Sequence, residues 1–184
     1  MKPTEELKHE HQIVLLILKA AEREVANISG GGALHVDEVE KMVDFFQNFT
    51  DRCHHAKEEK HLFPSLQQHG LPVGSGPVAV MLAEHEEGRK FVRAINGALP
   101  EAKKGAAKSV EEVRDKLAAY IGLLRQHIQK EDNVLFPMAD KLIPADEQQI
   151  LSEAFARIEA EEIGEGTHEK YHQLVSRPRD ILHN

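Results

Sequence analysis

The chain has one cysteine, Cys53, in 184 residues, so an intrachain disulfide framework is excluded and a reducing compartment is expected. No run approaches the roughly 18 apolar residues that a membrane span requires. The polar start, Met1-Lys2-Pro3-Thr4-Glu5-Glu6-Leu7, lacks the apolar core of a signal peptide. Positive charge is scarce: 23 Lys and Arg stand against 31 Asp and Glu, for a formal net charge of -8. With no basic stripe either, a nucleic-acid surface is not expected. Strand-type alternation of apolar and polar residues is absent throughout. These absences predict a soluble, cytoplasmic, all-α protein that meets neither nucleic acid nor membrane, long enough for one domain with a sizeable core. What the chain has in excess is histidine, 12 in all.

Several of those histidines recur in register. Glu10-His11 is followed by His54, Glu58 and Leu62-Phe63-Pro64, and Glu84-His85 by His127, Glu131 and Leu135-Phe136-Pro137. The step is 74 residues from His11 to His85, and 73 from His54 to His127, Glu58 to Glu131 and Pro64 to Pro137. An internal repeat constrains architecture before any single element does. Here the repeated side chains are imidazoles and carboxylates, which predicts a site shared by the two halves.

Helical periodicity carries both copies. Thr4 is placed to cap a helix running to about Ile28, with Leu7, His11, Val14, Leu15, Leu18 and Val25 on one face. A second helix is expected from near Asp37 through His54 to about Gln68, and a third from about Val78 to Ala98, ahead of Pro100. Ser109 and Glu112 form a capping box for a fourth, which carries Leu117, Tyr120, Leu124, His127, Glu131 and Leu135 along one stripe. Pro144 precedes a shorter helix from about Ala145 to Glu162. The expected fold is an up-down-up-down four-helix bundle over residues 1–142, made of two related hairpins, with residues 143–184 packed on it in the same domain.

His54/Glu58 and His127/Glu131 are spaced i, i+4, which puts both members of each pair on one helix face. Their stripe continues to Leu62 and Leu135, so they point toward the core, and His11 and His85 sit within apolar stripes of their own. Any one of these histidines could be a hydrogen-bonded core residue. Six inward polar side chains in repeat-equivalent places would be very costly without a partner, and a cation removes that cost. Imidazoles mixed with carboxylates and no thiolate suit iron or manganese, with zinc possible. The local two-fold suggests that His11 and His54 hold one metal and His85 and His127 the other. Glu58 and Glu131 would bridge them, leaving positions open for a small ligand.

With these residues in view, the blocks His54-His55-Ala56-Lys57-Glu58 to Leu62-Phe63-Pro64 and His127-Ile128-Gln129-Lys130-Glu131 to Leu135-Phe136-Pro137, with Glu10-His11 and Glu84-His85, resemble the hemerythrin HHE cation-binding family over roughly residues 5 to 140. The resemblance implies a four-helix bundle with two non-haem iron ions, oxo- or hydroxo-bridged, that meets a small diatomic or peroxide ligand. It is closer to the bacterial hemerythrin-like proteins than to the oxygen carriers. The carriers have a second histidine one turn after the third-helix ligand, and here that place is Arg89, beside Gly88. Their last carboxylate is an aspartate five residues after its histidine, an offset that Asp132 occupies; Glu131 is preferred because it repeats Glu58. His168, in the Gly-rich C-terminal segment, is a candidate replacement for the missing imidazole, and Tyr120 a candidate for contact with the ligands. His55, Glu59, His61 and His69 lie off the ligand stripe and are expected to be solvated, and Cys53 to be a packing residue. Three roles remain open: an oxidoreductase reducing peroxide or nitric oxide with an external redox partner, an iron storage, donation or sensing module, and a structural bundle holding zinc or manganese.

Overall fold

The computed structural model describes residues 1–162, and among them all regular structure is helical. Five helices follow in order. Helix α1 is Pro3–Ser29. Helix α2 spans 36–68 as one rod, with Val36–Phe45 α-helical, Phe46–His55 and Glu58–Leu62 π-helical, and Phe63–Gln68 α-helical again. Helix α3 is Gly76–Lys103. Helix α4 spans 107–142, with Ala107–Lys130 followed by a π-helical turn at Glu131–Leu135 and then Phe136–Leu142. Helix α5 is Ala145–Glu162. No helix among the described residues is long and apolar enough to cross a membrane.

Helix starts and stops differ from the sequence expectation at three points. Thr4 does not cap α1: Pro3, whose fixed φ and missing N–H suit a first helical position, moves the boundary back to Lys2. The freed Thr4 hydroxyl donates instead to Asp140 at 2.6 Å, tying the start of α1 to the end of α4. Ser109 likewise lies inside α4, because the turn at Gly105 (φ 83°) lets the helix begin at Ala107. Helix α3 continues through Pro100 to Lys103. Burial of Ala98, Leu99 and Ala102 in the core outweighs the hydrogen bond that the proline removes.

Two of the three π-helical stretches among the described residues have a local cause. Proline lacks an N–H and its ring clashes with the carbonyl four residues earlier. Pro64 and Pro137 each stand two residues past a wide turn, Glu58–Leu62 and Glu131–Leu135, that relieves this clash.

Two apolar layers result, with a polar layer between them. One is built from Val14, Leu18, Phe46, Phe49, Ile95, Leu117 and Leu124, among others. The other contains Leu7, Leu62, Phe63, Met81, Leu135, Phe136 and Phe155. His11 falls between Leu7 of one layer and Val14 of the other, and His85 between Met81 and Val92. Helix α5 lies against α1 and α2, burying Leu151, Ala154, Phe155 and Ile158. Cys53 is buried in a small cluster with Ala56 and Ile158, as a packing residue, and burial drives its thiol pKa well up.

Candidate metal centre

All six residues singled out by the repeat lie in the polar layer, and all six are buried. The imidazoles converge in pairs. His11 Nε2 stands 3.0 Å from His54 Nε2, and His85 Nε2 stands 3.2 Å from His127 Nε2. Glu131 lies between the pairs, one oxygen 3.2 Å from His11 Nε2 and the other 3.2 Å from His127 Nε2. Glu58 is arranged the same way, 3.8 Å from His54 Nε2 and 3.3 Å from His85 Nε2. None of the four carboxylate oxygens is hydrogen-bonded. Glu131 is fully buried, while Asp132 is 25% exposed and engages the outer nitrogen of His11. The geometry therefore puts Glu131, not Asp132, between the imidazoles.

The outer nitrogens decide how the inner ones behave. His11 Nδ1 meets Asp132 at 2.8 Å, His54 Nδ1 meets Glu10 at 2.7 Å, His85 Nδ1 meets Glu59 at 2.7 Å and His127 Nδ1 meets Glu84 at 3.0 Å. A carboxylate accepts only, so each Nδ1 carries the proton and each neutral ring presents a lone pair at Nε2. Two such lone pairs facing each other at 3.0–3.2 Å repel unless a proton or a cation lies between them. Donors bound about 2.1 Å from one ion, at right angles, stand about 3.0 Å apart. The residues fit a pair of metal ions, with the carboxylate–histidine pairs that metal sites use to fix ring orientation.

Protons partition within the site as these contacts dictate. Burial, reinforced by the negative charge of Glu131, raises the Glu58 pKa well above its ordinary value. Burial also opposes ionisation of Glu131, but His127 and His11 outweigh it and hold that carboxyl far down. Burial works against protonation of His127, yet Glu131 and Glu84 carry it up to about 9. Desolvation, with the neighbouring His11, takes His54 down to about 4. Where cations would sit, the metal-free site thus gathers protons on one carboxyl and on two of its imidazoles.

Sequence reasoning missed part of this shell. His55 was expected in solvent, but it is only 5% exposed. Its ring stacks on His85 with centroids 3.8 Å apart. It lies at the end of the π-helical stretch Phe46–His55, on the side of α2 that faces α3, so that His85 covers it. Glu59, also expected in solvent, is part-buried and bonds His85. Arg89, standing where the oxygen carriers keep a histidine, turns outward to Glu59 at 2.6 Å and Asp51 at 2.8 Å. The outer shell was legible in principle, because Glu59 and Asp132 obey the 73-residue step, as do Lys57 and Lys130, which bind Glu10 and Glu84 respectively. Lys57 is fully buried and holds Glu6 and Glu159 as well. His69 bonds Glu147 at 2.9 Å at the part-buried end of α2, away from the site, and His61 is part-buried outside it. His168 lies outside the described residues.

A cavity of about 200 Å³ opens on one side of this layer. His55, His85, His127, Gly88, Arg89 and Tyr120 are among its walls, and neither His11 nor His54 is. A Cβ on Gly88 would meet Tyr120 Cε2 at 3.4 Å, so the absence of a side chain there keeps the cavity wide. Tyr120 itself is buried against Phe46.

Helices lined by paired histidines with carboxylates between them define a metal-binding class of helical protein. The chain belongs to the hemerythrin HHE cation binding domain family, whose profile matches residues 2–139. It is similar to an uncharacterized protein of Mycobacterium tuberculosis, 23% identical over 177 residues that cover 96% of this chain and 68% of that protein. The iron-sulfur cluster repair protein YtfE of Salmonella typhimurium is 35% identical over 92 residues, which are 47% of this chain and 40% of that one. YtfE of Escherichia coli is 33% identical over 90 residues, again 47% and 40%. No solved structure gives a significant match.

Proposed function

We propose that this chain is a non-haem di-iron protein in which α1 to α4 run up-down-up-down and the core site binds or reacts with a small ligand such as dioxygen, peroxide or nitric oxide. His11 and His54 would hold one ion, His85 and His127 the other, and Glu58 and Glu131 would each give one oxygen to either ion. The observation that carries this reading is the disposition of those two carboxylates: each turns one oxygen toward each imidazole pair, and none of the four oxygens has a hydrogen bond. Imidazole and carboxylate donors suit iron, with manganese or zinc as the alternatives. Bound iron would supply open coordination positions and electrons to a small ligand. The protein's part is to hold the donors, exclude bulk water from a buried layer and admit the ligand through the cavity at His85 and His127. A cytoplasmic setting suits a chain whose single cysteine is buried.

The test is anaerobic loading of the purified chain with ferrous iron, metal analysis, and an absorption spectrum before and after air, peroxide and nitric oxide. Two irons per chain and ligand-dependent bands are expected. Fewer than two irons, or a colourless protein unchanged by all three ligands, would refute the reading. The similarity to proteins named for iron–sulfur cluster repair favours a second role, iron donation. That role would be recognised by net transfer of iron to an apo iron–sulfur protein without consumption of peroxide.

A further inference from the structure

We infer that His55 supplies a third imidazole to the metal position formed by His85 and His127, so that this ion has five protein donors and the other four. The inference rests on the two-metal reading above and concerns which residues complete one of its halves.

Both ring nitrogens of His55 are buried without a hydrogen bond. Asp51 Oδ1 stands 3.6 Å from Nδ1, beyond hydrogen-bond reach. A buried polar group left unpaired costs about 1–3 kcal/mol, and such orphans in a native fold call for an explanation. The Glu58 and Glu131 oxygens share this condition, so His55 keeps company with the bridging carboxylates. One donor atom each from His55, Glu58, His85 and His127 lie within 4.8 Å of one another. His55 thus stands beside the donors that define this position, and a turn of its ring out of the stack on His85 brings a nitrogen toward the same ion. With Asp51 on the Nδ1 side, Nε2 is the nitrogen left to bind.

The repeat argues the same way. The residue 73 positions after His55 is Ile128, buried in the apolar layer. No imidazole therefore exists in the equivalent place for the His11/His54 ion. Arg89 cannot supply the donor on the His85 side, because a protonated guanidinium has no lone pair to give, and it pairs with Glu59 and Asp51 instead. His55 fills that need from α2 rather than α3.

The experiment titrates metal-free protein with cobalt(II) alone, in the wild type and in His55→Ala and His55→Phe, following visible absorption and binding isotherms. The phenylalanine keeps a ring stacked on His85 without a donor nitrogen, and circular dichroism establishes which variants fold. The wild type is expected to bind two cobalt ions. Both variants should keep the affinity of the His11/His54 ion and lose at least about 10-fold in that of the His85/His127 ion, the scale at which metal sites respond even to their outer hydrogen-bonding partners, so that the separation between the two binding steps changes. The cobalt held by His85 and His127 should also absorb more strongly in the variants, as a four-coordinate ion does. Adding imidazole to His55→Ala, into the cavity that His55 lines, should restore the wild-type spectrum. Variants that match the wild type in both affinities and in spectrum would overturn the inference while leaving two-metal binding intact. A wild-type chain that takes up no second cobalt would instead overturn the two-metal reading, and this inference with it.

Discussion

Stripping the metal from the loaded protein should lower its melting temperature by about 10–20 °C. The unfolded chain has no preformed site, so metal binding free energy is folding free energy. At free metal 100 times the dissociation constant, each site contributes about 2.7 kcal/mol, and two sites about 5. For a chain of this size, each kcal/mol moves the melting temperature by about 2–4 °C. The loss should depend on pH, because protons stand in for the cations. His127 rises from 6.5 to about 9 on folding without metal. That raised pKa contributes stability fully present below pH 6.5 and lost as pH climbs through about 9, up to about 3 kcal/mol. His54 shifts the other way, to about 4, so its contribution is present above pH 6.5 and lost as pH falls through about 4. Glu58, raised well above its ordinary value as well, also loses its contribution as pH rises, so the metal-free form should lose stability from pH 6.5 to 9 and the holo–apo gap should widen over that range. Calorimetry on chelated and reloaded samples across pH 5–9 measures both quantities. Identical melting of the two forms, or a gap that narrows toward pH 9, would refute the reasoning.

Replacing Glu58 or Glu131 by Ala should remove both ions together, since each carboxylate faces both imidazole pairs, whereas Asp132→Ala should keep two ions and weaken them by about 10–100-fold; metal analysis after dialysis separates these outcomes, and two ions retained in Glu131→Ala would remove its bridging role. Lys57→Met leaves Glu6, Glu10 and Glu159 facing one another without their cation and should cost about 3–5 kcal/mol, read by urea denaturation; a loss under 1 kcal/mol would show that the buried ammonium is dispensable. Gly88→Val narrows the cavity against Tyr120, so stopped-flow binding of azide to the loaded protein should slow with metal content unchanged, and an unaltered rate would place the entry route elsewhere.

The buried polar layer was legible in the sequence because imidazoles and carboxylates at repeat-equivalent places stand out from apolar stripes. His11, His54, Glu58, His85, His127 and Glu131 stand out only when the two copies are laid over each other, and the structure brings all six together. Helix existence followed from apolar spacing, and α5 starts at Ala145, directly after Pro144, as its pattern suggested. Thr4, Pro100 and Ser109 misled at the ends, where Pro3, core burial and Gly105 set the boundaries instead. His55 was not legible at all. On a regular helix it points about 100° away from His54, and what buries it is the neighbouring helix, where His85 stacks on its ring. Glu10 and Glu84 stood in the repeat and Asp132 was weighed against Glu131, but that these three and Glu59 accept from the outer nitrogens was not read, because a carboxylate beside a histidine reads as a solvated charge until the imidazole's other nitrogen needs an acceptor.

In the proposed two-metal site the two ions would not be equivalent, and the places where the copies diverge say why. Val14 and Leu15 in the first copy become Gly88 and Arg89 in the second, 74 residues on, and His55 on α2 is answered by Ile128 on α4. In the half around His11 and His54, Val14 and Ile128 are buried in the apolar layer, with Leu15 packed against it. In the half around His85 and His127, a missing side chain, an outward-turned guanidinium and an unpaired imidazole line a cavity. All three divergences act in one direction, closing the first pair behind aliphatic side chains and opening the second to small molecules. An exogenous ligand would therefore reach the ion held by His85 and His127, while the His11/His54 ion, linked to it through Glu58 and Glu131, would respond only through those two carboxylates.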